Sequence, residues 1–90
     1  MARQPEHAAP VRIYGTDGCG DCRLAREFFD QQRIPYEWIN PDVDPEAEAF
    51  VLRVNSGLRS VPTIVFPDGS LLVEPSLPAL ARRLGAAPSD

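Results

Sequence analysis

Two cysteines three residues apart are the residues of this sequence best suited to chemistry. Cys19 and Cys22 follow the short apolar run Val11–Tyr14 and stand where an amphipathic helix is predicted to begin. On a helix, residues i and i+3 share a face with Cβ atoms roughly 5–6 Å apart, and disulfides need Cα atoms roughly 4.4–6.8 Å apart. The closed loop is too short to stabilise a fold much by chain entropy. The spacing therefore favours a redox pair over a structural disulfide.

The two cysteines are expected to play different parts. Only a thiolate attacks a disulfide, so one sulfur must ionise near neutral pH. Cys19 lies at the helix N-terminus, where unpaired N–H groups and the helix dipole favour an anion. We therefore predict Cys19 as the nucleophile and the deeper Cys22 as the resolving thiol. Asp21 between them opposes ionisation of a nearby thiol, yet an acid in the first turn also stabilises the helix, and both interpretations stay open.

The composition limits the class of protein. Ninety residues with an apolar share of 43% predict one domain. A net charge of −4 with scattered arginines argues against a nucleic-acid partner. The polar first ten residues predict neither a signal peptide nor a membrane span, so the cytoplasm is the expected location. Zinc would require four ligands, and beyond the two cysteines the sequence adds only His7, so no metal site is predicted.

The apolar periodicity and the turn residues predict the element order βαβαββα within residues 11–85, between flexible tails at 1–10 and 86–90. Asp44 and Ser76 are predicted as helix N-caps. The predicted elements are a strand at Val11–Tyr14, a helix from Cys19 or Gly20 to about Gln32, a strand at Tyr36–Ile39, a helix from Pro45 or Glu46 to Asn55, strands at Ser60–Phe66 and Leu71–Val73, and a helix from about Ser76 to near Gly85.

Helical spacing also predicts which apolar side chains are buried. The expected buried positions are Leu24, Ala25, Phe28 and Phe29 in the first helix, Phe50 and Val54 in the second, and Leu77, Leu80, Ala81 and Leu84 in the third.

A cysteine pair at a helix start, followed about forty residues later by a Val-Pro-Thr strand and a hairpin, resembles the glutaredoxin family. The resemblance spans Val11 to Gly85 and is strongest to the mycoredoxin-type members. It implies an α/β thioredoxin fold with a four-stranded mixed sheet flanked by three helices. The motifs that carry it are Cys19-Gly20-Asp21-Cys22, Ser60-Val61-Pro62-Thr63, Asp68-Gly69-Ser70 and Glu74-Pro75-Ser76.

The resemblance implies a thiol–disulfide oxidoreductase that reduces mixed disulfides between proteins and a low-molecular-weight thiol, with no tightly bound cofactor. Glutathione-binding members typically have a Gly-Gly pair where Glu74–Ser76 stands here. This departure favours mycothiol or another glutathione-like thiol as co-substrate. The implied partners are thiolated or disulfide-bonded proteins, the small thiol and its reductase, with no membrane contact, and the chain is expected to act as a monomer.

Two other functions remain open from the same resemblance. One is an electron-donor redoxin, as for ribonucleotide reductase, that receives electrons from thioredoxin reductase without a small thiol. The other is a carrier of a [2Fe–2S] cluster held between two subunits, since thiolates suit such clusters.

Further site residues are implied by the family pattern. A cis peptide bond is expected before Pro62, facing the cysteines, since X–Pro bonds form cis peptides at low cost. The backbone of Val61 is then available to pair with an extended substrate. Thr16 stands where a lysine often contacts the thiol, and Arg59 is a candidate to replace that contact. Ser76 is a helix cap first and a candidate thiol ligand second.

Overall fold

Seven elements follow in the predicted order in this computed structural model, which describes residues 10–85. They are β1 (Val11–Tyr14), α1 (Gly20–Gln31), β2 (Tyr36–Ile39), α2 (Pro45–Val54), β3 (Thr63–Val65), β4 (Leu71–Val73) and α3 (Leu77–Leu84). Of the tails predicted at 1–10 and 86–90, residues 1–9 and 86–90 lie outside the described residues. Within 10–85, no helix is long and apolar enough to cross a membrane.

The four strands form one mixed sheet in the order β2-β1-β3-β4. β1 runs parallel to β2, whereas β3 is antiparallel to both of its neighbours, with Tyr14 opposite Thr63 and Thr63 opposite Val73. β1, β2 and β4 therefore finish at the end of the sheet where β3 begins. We call this the cysteine end, because β1 leads directly into the loop before Cys19. The opposite end, with the β3–β4 turn, is the hairpin end.

The N-termini of all three helices lie at the cysteine end, because each helix follows a strand that finishes there. Asp44 caps α2 by accepting from the amides of Glu46 and Ala47 at 3.1 and 3.2 Å. Ser76 caps α3 by accepting from the Ala79 amide at 3.2 Å. Such caps satisfy first-turn N–H groups that have no partner within the helix. Both predicted caps are confirmed.

The sheet separates two buried clusters. Ile13, Ile64, Phe66, Ala25, Phe29 and Leu80 belong to the cluster under α1 and α3, while Tyr14, Val65, Ala47 and Val51 form the cluster under α2. Both clusters join residues that are far apart in sequence. They fix the strands, and so they fix the positions from which the loops of the cysteine end begin.

Two of the side chains predicted to be buried are exposed instead. Leu24 is 45% exposed and Leu77 is 42% exposed. The buried face of α1 begins at Cys22 and continues at Ala25 and Phe29, so Leu24 lies off this face, since contacts along a helix recur every three or four residues.

Likewise, α2 buries Ala47 and Val51 instead of Phe50 and Val54, which are only half-buried. Phe50 stacks against Tyr14 at the margin of the sheet, with ring centroids 4.8 Å apart. Small residues at the contact bring a helix close to a sheet, and here they leave the larger ring to cover the side of the cluster.

Candidate active site

Cys19 is the N-cap of α1. Its backbone is extended (φ −95°, ψ 115°) and its Sγ accepts from the Cys22 amide at 3.1 Å. The Cys19 amide in turn donates to the Thr16 carbonyl at 3.4 Å, which ties the loop to the helix start. Cys19 is half-buried. A cysteine sulfur thus occupies the place that a serine or aspartate oxygen takes at an ordinary helix cap, where amide donation favours a negative charge.

Cys22 lies one helical turn deeper and has no exposed surface. Burial, and next a hydrogen bond with Cys19, raises the pKa of the Cys22 thiol from 9.0 to about 12. The nearby charge of exposed Asp21 is the smallest contribution to this rise in the pKa. Near neutral pH Cys22 therefore remains a protonated thiol, and the two sulfurs of the pair have different chemical properties.

The sulfur of Cys22 packs against a glycine at the end of β1. A Cβ placed on Gly15 would lie 2.8 Å from Cys22 Sγ and 2.7 Å from the ring of Trp38. The Gly15 amide donates to the Ile39 carbonyl at 3.0 Å and so anchors this position to β2. Since real Cβ contacts essentially never fall below 3.0 Å, only glycine allows β1, β2 and Cys22 to approach so closely.

The loop before β3 faces the cysteines. The Val61–Pro62 peptide bond is cis, as the resemblance implied, and Cys19 Sγ lies 3.9 Å from the Val61 carbonyl oxygen. Pro62 is buried, and its carbonyl accepts from the Glu74 amide at 2.8 Å. The Val61 backbone is thereby placed beside the cysteine sulfur that solvent can reach.

Buried polar contacts hold this loop from behind. The Thr63 hydroxyl, fully buried, donates to the Ser60 carbonyl at 2.7 Å. Asn55 Nδ2 donates to Thr63 Oγ1 at 3.1 Å and to the Val51 carbonyl at 2.9 Å. Since a buried polar group without a partner costs stability, these bonds link the loop to the C-terminal end of α2.

The residues predicted to contact a small thiol have other partners. Arg59 Nη2 donates to Asp42 Oδ1, and Arg59 Nε donates to Glu48 Oε2 at 3.2 Å. The Thr16 carbonyl accepts from Cys19, and the Ser76 hydroxyl caps α3. All three predicted residues nevertheless lie in segments at the cysteine end.

Comparison with known proteins places this geometry in a family. The Glutaredoxin family matches residues 11–72. The chain belongs to the glutaredoxin family. Glutaredoxins are thiol–disulfide oxidoreductases, and this protein is one of them.

Two curated relatives support this assignment. The glutaredoxin is 37% identical over 76 residues to a protein of Mycobacterium tuberculosis strain H37Rv that carries the glutaredoxin name, covering 84% of this chain and 90% of the relative. It is 42% identical over 65 residues to Mycoredoxin 1 of Corynebacterium glutamicum, covering 72% of this chain and 80% of the relative.

Solved structures share the fold of this glutaredoxin. A thioredoxin-like protein superposes with a TM-score of 0.75 at 23% identity, covering 86% of this chain and 96% of its own. The glutaredoxin of Archaeoglobus fulgidus gives 0.69 at 24% identity, covering 93% and 98%. The buckwheat glutaredoxin–glutathione complex gives 0.65 at 24% identity, covering 84% and 70%. The thioredoxin fold predicted from the sequence is confirmed.

Two residues of the glutaredoxin site were missed in the sequence. The sequence patterns assign Gly15 no part in the site, although a glycine directly after a strand signals close approach of backbone. Asn55 is predicted only as the end of α2, and no local signal indicates its bond to Thr63. In the stretch 10–85, no three His, Cys, Asp or Glu side chains are grouped to hold a metal ion.

Proposed function

We propose that this glutaredoxin reduces mixed disulfides between proteins and a small thiol, with Cys19 as the attacking thiolate and Cys22 as the resolving thiol. The observation that carries the proposal is the difference between the sulfurs. Cys19 Sγ accepts an amide hydrogen bond at the start of α1, whereas Cys22 is buried with its pKa raised to about 12. Since only a thiolate attacks, Cys22 is poorly suited to the first step.

In the first step, the Cys19 thiolate attacks the small-thiol sulfur of the mixed disulfide. A bond forms between the two sulfurs, the bond to the protein sulfur breaks, and the protein leaves as a thiolate that takes up a proton. In the second step, the thiolate of a second small-thiol molecule attacks the sulfur bound to Cys19. The products are the small-thiol disulfide and the regenerated Cys19 thiolate, and a reductase then returns two electrons to that disulfide.

Cys22 offers a second route of resolution. It attacks Cys19 Sγ, loses its proton to the departing small thiol, and leaves a Cys19–Cys22 disulfide that needs two electrons to open. Once Cys19 is in a disulfide it no longer carries charge, but burial, the largest cause of the raised pKa, remains. Resolution by a second small thiol is therefore the faster route in our proposal.

The backbone of Val61 is proposed to orient the protein substrate. Its carbonyl lies 3.9 Å from Cys19 Sγ, and extended peptides commonly bind by pairing main chain with main chain. Pro62 supplies no amide donor at the next position.

Mycothiol is the small thiol that we propose, and the cytoplasm is the proposed location. The similarity to Mycoredoxin 1 supports mycothiol, as does Glu74–Ser76, which replaces the Gly-Gly pair typical of glutathione-binding members. Thr16 and Ser76 are proposed to line the thiol site at the cysteine end.

The test is an assay of a mycothiolated protein with mycothiol and its reductase, in which consumption of reductant is measured. Cys19→Ser should abolish turnover, while Cys22→Ser should retain it. Circular dichroism checks that both variants fold. Turnover by Cys19→Ser would contradict the proposal. Reduction of the protein by thioredoxin reductase, and not by mycothiol, would instead identify an electron-donor redoxin.

A further inference from the structure

Arg59 lies two residues before Val61, in the loop that faces Cys19, and its side chain is held by two carboxylates. Its Nη2 and Nε donate to Asp42 and Glu48, while about a third of the side chain stays exposed. A free guanidinium binds a carboxylate through two parallel hydrogen bonds. Here Nε and Nη2 are already bonded and two carboxylates offset the positive charge, so a ligand carboxylate gains less by binding Arg59.

The position of Arg59 makes this competition relevant to Cys19. Arg59 precedes Val61 by two residues, a span of at most about 7 Å of chain, and the Val61 carbonyl contacts Cys19 Sγ. Asp42 follows the carboxyl end of β2, and Glu48 lies in the first turn of α2. All these segments meet at the cysteine end of the sheet.

The remaining charges near Cys19 include several carboxylates and the exposed Arg23, whose amide donates to the Cys19 carbonyl at 3.1 Å. Asp17 and Asp21 are each two residues from Cys19 and are exposed, and the amide of exposed Glu74 bonds to the carbonyl of Pro62. Helix stabilisation accounts for Asp21. It does not account for Asp42, which lies in the loop before α2 and whose carboxylate is directed to Arg59.

We infer that Asp42 and Glu48, by holding Arg59, set the charge preference of the Cys19 site against disulfides that carry carboxylates. Disulfides of neutral or cationic small thiols therefore react with Cys19 faster than disulfides that carry carboxylates do. The inference rests on the exchange at Cys19 proposed above. It names the chemistry of the preferred thiol, which is one without free carboxylates. Glutathione, with its free carboxylates, belongs to the disfavoured class.

Three small disulfides of similar size test the inference with the reduced protein. They are cationic cystamine, neutral bis(2-hydroxyethyl) disulfide and anionic 3,3′-dithiodipropionate. In each reaction Cys19 takes one half of the disulfide as an adduct and releases the other half as a thiol; Cys22 can then displace the bound half. Quenching followed by mass spectrometry measures the loss of reduced protein. Dividing each rate by the rate with 2-mercaptoethanol removes the intrinsic reactivity of the disulfide.

At low ionic strength we expect the normalised rate to fall from cystamine to the neutral disulfide to dithiodipropionate, by about tenfold overall. High salt should bring the three rates together, since it screens exposed charges. Equal normalised rates at low salt would overturn the inference while leaving the exchange activity intact. Lack of reaction with every disulfide would overturn the exchange activity, and the inference with it.

Variants test whether Asp42, Glu48 and Arg59 cause the preference among charged disulfides. Asp42→Asn combined with Glu48→Gln releases Arg59, and the relative rate with dithiodipropionate should rise several-fold. Adding Arg59→Gln to that pair should remove most of the gain, since the freed guanidinium is its source.

The matched control removes two carboxylates at the hairpin end. Asp30→Asn combined with Asp68→Asn changes the net charge equally but lies away from Cys19, and it should leave the order of the disulfides unchanged. An equal gain in the control, or a gain that survives Arg59→Gln in full, would overturn the inference.

Discussion

Each end of the sheet has one arginine that pairs with a carboxylate, Arg83 at the hairpin end and Arg59 at the cysteine end, but the surroundings of these two arginines differ. At the hairpin end, Arg83 lies over the Phe66 ring at 3.9 Å and donates to Ser70 Oγ at 2.9 Å and to Asp68. It joins the last turn of α3 to the β3–β4 turn. At the cysteine end, Arg59, which lies two residues before Val61, pairs with Asp42 and Glu48. Similar ion pairs thus serve the packing of elements at one end and the charge of the site at the other.

The two ends also differ in whether their contacts are local or join distant segments of the chain. The turn at the hairpin end is shaped by local bonds, with Asp68 Oδ1 accepting from Ser70 at 2.9 Å and the Gly69 amide donating to Phe66 at 2.8 Å. The cysteine end instead depends on contacts among Gly15, Trp38 and Cys22, which come from three different segments. We therefore expect substitutions at the cysteine end to affect chemistry and stability together.

The largest expected difference is between the two sulfurs. Iodoacetamide near neutral pH should modify Cys19 faster than Cys22 by roughly a hundredfold or more, because a buried thiol with a pKa of about 12 exposes almost no thiolate. Mass spectrometry of peptides from briefly treated reduced protein measures the ratio. Comparable labelling of both cysteines in protein that remains folded would contradict the predicted difference in reactivity between them.

Gly15→Ala tests the close packing behind Cys22. The added methyl overlaps Cys22 Sγ and the Trp38 ring, and overpacking of this kind should lower the free energy of unfolding by about 1–3 kcal/mol. Urea unfolding followed by the fluorescence of the single tryptophan measures the change.

Gly18→Ala is the matched control, because a Cβ there meets no atom of the described residues within 4 Å. Its effect should be small. Equal losses in the two variants would show that backbone freedom, and not the contact with Cys22, explains the glycine at position 15.

The pH dependence of stability should carry a contribution from Cys22. Since folding raises the pKa of this thiol from 9.0 to about 12, the unfolded chain releases the proton first as pH rises. The free energy of unfolding of the reduced protein should therefore fall between about pH 9 and 12. Reduced Cys22→Ala protein should lose less stability over the same range, and an unchanged slope would contradict the raised pKa.

The smallest expected effect separates the two arginines. Arg83→Gln should lower the melting temperature by a few degrees through the lost contacts with Phe66 and Asp68, without altering the order of rates among charged disulfides. Arg59→Gln should alter the relative rates of charged disulfides and change the melting temperature less. Thermal unfolding and the disulfide assay, run on both variants, measure these effects. The reverse pattern would contradict the division between the two ends.

Much of the fold could be predicted because its signals are local. The β-rich run of β1 and the caps Asp44 and Ser76 act over a few residues, and each element lies within a few residues of its predicted bounds. β3 is shorter than predicted, since the residues before it form the loop that faces Cys19. The buried face of α2 could not be chosen from its sequence, because Phe50 and Val51 are both apolar and only the packing of α2 on the sheet selects between them.

The candidate site divides in the same way. The cysteine spacing placed two thiols on one helical turn, and the cis peptide before Pro62 came from resemblance to known sequences. The partners of Arg59 could not be predicted, because Asp42 and Glu48 lie 17 and 11 residues away along the chain and meet it only when β2, α2 and the loop before β3 pack together.

The sequence alone determined that Cys19 begins a helix and that Cys22 follows one turn later, because caps and helical spacing depend on neighbouring residues. Only the tertiary structure decided how different the two sulfurs are. Desolvation of Cys22 requires α1 to pack against Gly15 and Trp38, and the ion pairs of Arg59 depend on acids brought from distant segments. Burial and electrostatics act through space, so they exist only after the chain has folded.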